Sequence, residues 1–235
     1  MTTSRAKRIK DNVELLIENF PIFLEFFDKK PPFSRYGQFE YHDQAIRQRF
    51  SYSSVVDAIN DDDFLGNLHR TLRAWGIGTR GSVLAPLAEF RNAIRNELAH
   101  IARLDGLKID DANLNAKLIS DQLWQLISSL QIVGNQAKVV ACSKALHHLL
   151  PELVPPIDRA YTCNFFLWSS TEFQYRQKQF LTLAFDNFAA VARKTNPSQY
   201  VGKGWHTSRT KVLDNAIVGY KLLAKQAYQR SRASS

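Results

Sequence analysis

Apolar residues recur along this chain mainly at spacings of three and four, whereas alternation of β-branched residues is scarce. That periodicity is typical of amphipathic helices. The first predicted helix, about 4–20, carries Ile9, Val13, Leu16 and Phe20 on one face. Further helices are predicted over about 40–59, 62–75, 86–104, 112–130, 136–149, 157–168, 171–194 and 207–230. We therefore expect an all-α fold, a compact multi-helix bundle of about nine to ten helices.

Helix starts are marked by residues that commonly cap helices, namely Asp61 or Asp62, Asp111, Ser120 and Ser170. The predicted connections are short, and no repeat or low-complexity linker interrupts the chain. These features favour a single helical domain over residues 1–235. We expect the basic N-terminus (1–8) and the C-terminal tail (229–235) to fray.

The sequence contains no apolar run long enough to cross a bilayer and no secretory core behind its N-terminal charges. Its two cysteines, Cys142 and Cys163, form neither a disulfide framework nor a zinc motif. We expect a cytoplasmic protein, monomeric, with no metal, no small-molecule cofactor and no membrane partner.

Charge favours a polyanionic partner. Lys and Arg number 31 against 22 Asp and Glu, which leaves a net charge of +9. The alternative is a protein that is merely basic. The segment 203–211 concentrates cations beside an aromatic residue, a mixture that can bind phosphates and stack on a base. Its candidate nucleic-acid-binding residues are Lys203, Trp205, His206, Arg209 and Lys211.

The loop 76–81 reads G-x-G-x-x-G, the pattern of dinucleotide-binding folds. Such a site requires a strand before the loop, but Leu65, Leu68 and Leu72 precede it with helical spacing. We interpret the loop as a tight helix–helix connection, from which Arg80 can still reach a phosphate of bound DNA.

Two segments form the most informative pattern. Residues 130–137 read as a turn that opens onto a helix, and Pro155-Pro156-Ile157-Asp158 presents an acidic residue at the start of the next helix. Leu130, Val133 and Gly134, followed by the Pro-x-Asp turn, resemble the hairpin and catalytic aspartate of helix-hairpin-helix DNA glycosylases. Gln131 and Ile132 stand where that family has Pro and Gly.

The resemblance implies a DNA glycosylase that flips a damaged or modified base out of double-stranded DNA and excises it. Gly134 and Lys138 would hold the DNA backbone at a helix N-terminus, and Asp158 would assist departure of the base. Gln136 occupies the place of the lysine found in family members that also cut the strand, so the resemblance implies water as nucleophile. Lys144 lies further along the same helix and is a candidate catalytic amine, so strand cleavage stays open.

A second motif supports a different enzyme. Arg95, Asn96 and His100 match the R-N-x-x-x-H pattern of HEPN ribonucleases, a metal-independent helical family that includes toxins and phage-defence proteins. The alternative interpretation of this motif is a solvent-exposed helix face without a catalytic role. A non-enzymatic DNA-binding module is the third possibility.

Overall fold

The computed structural model describes residues 3–33, 37–79, 83–134 and 138–233. Within these ranges the protein is all-helical and contains no β-strand, only two isolated bridges. Nine of the helices in this part of the chain have seven residues or more. The helices are α1 (Thr3–Glu18), α2 (Phe20–Lys29), α3 (Gln38–Ser51), α4 (Val55–Asn60), α5 (Asp62–Ala74), α6 (Leu87–Asn96), α7 (Leu98–Ala102), α8 (Ala116–Ser129), α9 (Lys138–Leu149), α10 (Ser170–Tyr175), α11 (Gln177–Thr195) and α12 (Arg209–Ala233).

Helix α12 lies at the centre of the bundle. Its residues 210–219 are buried on every side, so this part of the helix lacks the solvent-exposed face that a surface helix would show. Helix α2 packs against it, and Gly219 allows the close approach because a Cβ there would collide with the backbone of Phe23. One continuous core cluster extends from Ile9 in α1 to Ile217 in α12.

The expected all-α class is confirmed, but several predicted helices are divided. The predicted helix 40–59 breaks at residues 52–54, where Ser54 caps α4 by accepting from the Asp57 N–H. The predicted helix 86–104 breaks at Glu97. At residues 52–54 local side-chain capping competes with helix continuation, and apolar periodicity does not register such capping.

Side-chain caps also mark the starts of α5 and α8. Asp61 caps α5 as expected, accepting from the N–H groups of Asp63 and Phe64. The helix predicted from 112 begins instead at Ala116, capped by Asn115, whereas Ser120 lies inside it. The segment predicted as helix 157–168 contains a π-helical turn, Arg159–Cys163. Helix α1 begins at Thr3, within the segment that we expected to fray.

The connection from α8 to α9 is held against the loop before α6. Leu130 ends α8, the Ala85 N–H donates to the Ile132 carbonyl, and the Gly134 N–H donates to the Val83 carbonyl. After α9, a proline-rich segment, 150–158, returns beneath the helix toward the π-turn. No helix of the described ranges is long and apolar enough to cross a membrane.

Candidate active site

A pocket opens where α3, α5, α9, the proline-rich segment and α12 meet, and we call it the central pocket. Its cavity volume, measured for the centre of a water molecule, is about 80 Å³, well above the roughly 10–15 Å³ that holds one water molecule. Aromatic side chains and four charged groups share its wall. The lining residues are Phe33, Gln38, Trp75, Lys144, Pro156, Asp158, Trp205, Lys211 and Asp214.

Asp158 uses one carboxylate oxygen for structure. That oxygen accepts from the Tyr161 N–H at 2.7 Å and so caps the π-turn. Its second oxygen has no hydrogen-bond partner among the described residues, and the side chain lines the central pocket. The preceding turn is fixed to α9 because the Ile157 N–H donates to the Ser143 hydroxyl. The carboxylate is therefore rigidly presented to the pocket with half of its acceptor capacity unused.

Lys144 projects into the same pocket from the middle of α9. Its ammonium lies 5.5 Å from the centre of the Trp75 ring and has no hydrogen-bond acceptor among the residues that the structure describes. Burial lowers the pKa of Lys144, and the negative charges of Asp158 and Asp214 offset that effect only in part. An amine with a lowered pKa spends more time neutral, the form that attacks a carbon.

Lys211 and Asp214 form a buried ion pair one helical turn apart on α12, with 2.6 Å between Nζ and the carboxylate. The ammonium lies inside an aromatic cage formed by Phe33, Trp75 and Trp205, at 4.7, 5.5 and 5.4 Å from the three ring centres. Burial raises the pKa of Asp214, while Lys211 opposes the shift. The pair satisfies two buried charges inside the wall of the central pocket.

Behind the cage lies a histidine cluster formed by His42, His147 and His148, all fully buried. His42 stacks on Trp205 with an angle of 16° between the ring planes, and its ring centre lies 4.9 Å from that of Trp75. Burial lowers the pKa of His148 to about 4 and holds the pKa values of His42 and His147 well below the usual value. Neutral imidazoles therefore support the two tryptophans of the pocket wall.

Hydrogen bonds assign the tautomers of two of these histidines. Nδ1 of His148 faces the Lys144 carbonyl at 2.7 Å, so Nδ1 carries the proton and Nε2 accepts. His42 then donates from Nδ1 to His148, at 2.9 Å, and accepts from the Thr207 hydroxyl at 2.7 Å. This series of hydrogen bonds joins α3 and α9 to the start of α12.

The residues of segment 203–211 lie in different environments. Trp205 and Lys211 line the central pocket, which makes Lys211 a buried group and not a surface cation. His206 is buried between Asp28 and Asn215. Arg209 forms ion pairs with Asp110 and Glu152 that fasten the start of α12. Lys203 is exposed in a glycine turn.

The hairpin candidates are placed outside the pocket. Gly134 is exposed, but its N–H is already used by Val83. The Lys138 ammonium donates to the Ser128 carbonyl at 2.9 Å and so satisfies the end of α8. Arg80 and Gln136 lie outside the described residues.

The residues of the ribonuclease motif have separate partners. Arg95 binds the Asp62 carboxylate and the carbonyl oxygens at the end of α4. His100 lies beyond the break at Glu97 and contacts the Glu97 carboxylate at 2.8 Å. Asn96 is exposed. Arg95 and His100 therefore engage different carboxylates.

Sequence reasoning left Phe33, Gln38 and Asp214 out of the candidate site and could not rank Trp75 among the aromatic residues. The spacing of Lys211 and Asp214, one turn apart on an apolar stretch of helix, was the available signal for a buried pair. Within the described ranges, no group of three or more His, Cys, Asp or Glu side chains is arranged to hold a metal ion.

Comparison with known protein families, with curated proteins and with solved structures finds no match for this chain.

Proposed function

We propose that this protein is a DNA glycosylase that takes a damaged or modified base into the central pocket and excises it. One observation carries the proposal: a carboxylate oxygen of Asp158 and the ammonium of Lys144, neither hydrogen-bonded to any described residue, line one aromatic-walled pocket. Two oppositely charged groups with spare hydrogen-bonding capacity, presented beside stacking surfaces, suit chemistry on an everted nucleoside.

The walls suit a planar base. Trp75 and Trp205 offer flat apolar faces, and base–aromatic stacking contributes roughly 1–3 kcal/mol per base. The histidine cluster packs against these rings on the side away from the pocket and holds them in place. The pocket is therefore shaped before a base arrives. Preformed walls reduce the ordering cost of binding and help to offset the unstacking of the base from the duplex.

Asp158 supplies the charge for bond cleavage. As the N-glycosidic bond breaks, its electron pair leaves with the base and the sugar becomes cationic. The carboxylate stabilises that cation, and its free oxygen accepts a proton from the water that attacks C1′. A base and an abasic sugar result, with the carboxylate restored once the proton passes to solvent.

The DNA backbone is then held outside the pocket. A net charge of +9 favours association with a polyanion. The segment from α8 to α9 is the hairpin-like element of the proposal, and the N-terminus of α9 offers a favourable dipole to a phosphate. Because Gly134 donates to Val83, its role here is to permit close approach, without donating to the phosphate itself.

The test is release of free bases from a panel of duplexes carrying modified bases, monitored by mass spectrometry. Asp158→Asn should abolish release and preserve DNA binding, because an amide oxygen still accepts from the Tyr161 N–H but carries no charge. Asp186→Asn, on the surface of α11, is the matched control and should leave release intact. Equal release by wild type and Asp158→Asn, or silence across the panel, contradicts the proposal.

A further inference from the structure

We propose that the central pocket selects neutral or anionic bases rich in carbonyl oxygens, rejects cationic N-alkylated bases, and uses Lys211 as the specificity-determining residue. The inference rests on the proposed function and deepens it, since it names the substrate class of the same pocket.

The first step concerns the aromatic cage. Three converging ring faces form the usual receptor for a ligand cation, because each ring carries negative potential over its face. Here the Lys211 ammonium already occupies that position, within 4.7–5.5 Å of all three ring centres. A cationic base entering the pocket would therefore find the attractive ring faces in use.

The second step concerns hydrogen-bond capacity. An ammonium has three N–H donors. Asp214 is the one acceptor for Lys211 among the described residues, so two donors stay available, and all three of Lys144 do. The unused groups in this part of the wall are mostly donors, and donors are matched by the carbonyl oxygens of a base.

The third step concerns charge. A cationic base would lie beside two ammonium groups, and like charges at short range in a buried site repel strongly. The Asp214 carboxylate neutralises much of the Lys211 charge at 2.6 Å, so the repulsion comes mainly from Lys144. Asp158 faces the sugar in the proposed reaction. Repulsion and acceptor matching thus point to the same substrate class.

The experiment measures binding of two nucleosides to the full-length protein by quenching of tryptophan fluorescence. The probes are 8-oxo-2′-deoxyguanosine, which is neutral and rich in oxygens, and 1-methyl-2′-deoxyadenosine, which is a cation at neutral pH. Hydrogen bonds to charged donors are stronger than those to neutral donors, so we expect the wild type to prefer the oxidised nucleoside by about tenfold or more. Equal binding, preference for the cation, or binding of neither probe overturns the inference.

The double substitution Lys211→Met/Asp214→Asn tests the residue that sets the choice. It removes both partners of the ion pair, so no buried charge is left alone. This variant should lose the preference for the oxidised nucleoside by about tenfold and bind the cation more tightly, because no ammonium then competes for the ring faces. Lys178→Met/Asp121→Asn is the matched control, since it removes an ion pair on the surface, away from the pocket, and should keep the preference. An unchanged preference in the folded double variant overturns the assignment to Lys211.

Thermal unfolding establishes whether the variants are folded, and the wild-type comparison does not depend on them. The inference and the proposed function can fail separately. Base release without discrimination between oxidised and cationic bases in DNA contradicts the selectivity alone. Selective nucleoside binding without release from any duplex contradicts the glycosylase alone.

Discussion

At the scale of single residues, Lys144 and Asp158 carry the proposed reaction. They differ from the other charged groups of the pocket in how much of their hydrogen-bonding capacity is unused. Lys211 and Asp214 neutralise each other's charge, whereas Lys144 has no acceptor and Asp158 keeps one unbonded oxygen among the described residues. A buried charge without a partner is costly, and such costs are often retained where a group acts on a ligand. We therefore assign the chemistry to Lys144 and Asp158 and the selection of the base to the ion pair.

Lys144 should react with the abasic sugar that base excision leaves in the pocket. Its neutral amine adds to the C1′ aldehyde of the ring-opened sugar and water departs, which forms an iminium. Loss of a C2′ proton then expels the 3′ phosphate. Sodium borohydride reduces the iminium and links protein to DNA covalently.

With duplexes carrying one abasic site, we expect a crosslinked band for the wild type and at least a tenfold loss in Lys144→Gln. Because burial lowers the pKa of Lys144, the crosslinking rate should rise with pH and level off below the ordinary lysine value, about 10.4. Lys178→Gln, on the surface of α11, is the control and should crosslink normally. A crosslink mapped to another lysine would contradict the assignment.

At the scale of elements, the pocket depends on how closely α2 approaches α12. Phe33 follows α2 and completes the cage around a side chain of α12, so the contact between these helices sets the width of the pocket. The contact needs Gly219, because the Phe23 backbone occupies the space of a side chain there. A second helical glycine, Gly66 in α5, has ordinary space around it.

The two glycines should therefore respond oppositely to alanine. A Cβ at Gly219 would lie 2.8 Å from the Phe23 carbonyl carbon, so Gly219→Ala must displace backbone and should lower the free energy of unfolding by about 1–3 kcal/mol. At Gly66 the nearest atom is Nη2 of Arg91, at 3.7 Å, and alanine favours the helix by up to about 1 kcal/mol. Urea unfolding of both variants measures the difference; equal stabilities would show that α2 and α12 do not approach as described.

At the scale of the whole molecule, the histidine cluster links protonation to folding. It joins α3, α9 and the start of α12, and its rings support the tryptophans of the pocket. In the unfolded chain these histidines take up protons near pH 6.5, whereas burial lowers the pKa of His148 to about 4 and holds those of His42 and His147 well below the usual value. The unfolded state thus binds more protons in this window, and acid favours it.

We expect the free energy of unfolding to be highest above pH 6.5 and to fall as the pH is lowered toward 4. Each histidine contributes a slope of up to about 1.4 kcal/mol per pH unit. His42→Phe should reduce that slope, whatever its effect on stability at neutral pH. His100→Gln is the control, because His100 lies exposed on α7 and outside the cluster. Identical slopes for the wild type and His42→Phe would remove the cluster as the cause.

Local sequence was sufficient for the helical class and for the cap at Asp61, whereas the grouping of Lys144 with Asp158 came from the resemblance to DNA glycosylases. Apolar periodicity and capping act between near neighbours, so they can be recognised without the fold. The division of the predicted helix at residues 52–54 went unrecognised because a side-chain cap at Ser54 decided it, and periodicity did not mark the division at Glu97 either.

The central pocket was decided by tertiary structure. Phe33, Trp75 and Trp205 come from three separate segments, and no spacing along the chain brings them to one ammonium group. Charged residues are normally exposed, so segment 203–211 predicted a basic surface. Packing of α12 at the centre of the bundle buried Lys211 against Asp214 instead, because only there did an anion and three aromatic rings replace the water that its charge requires.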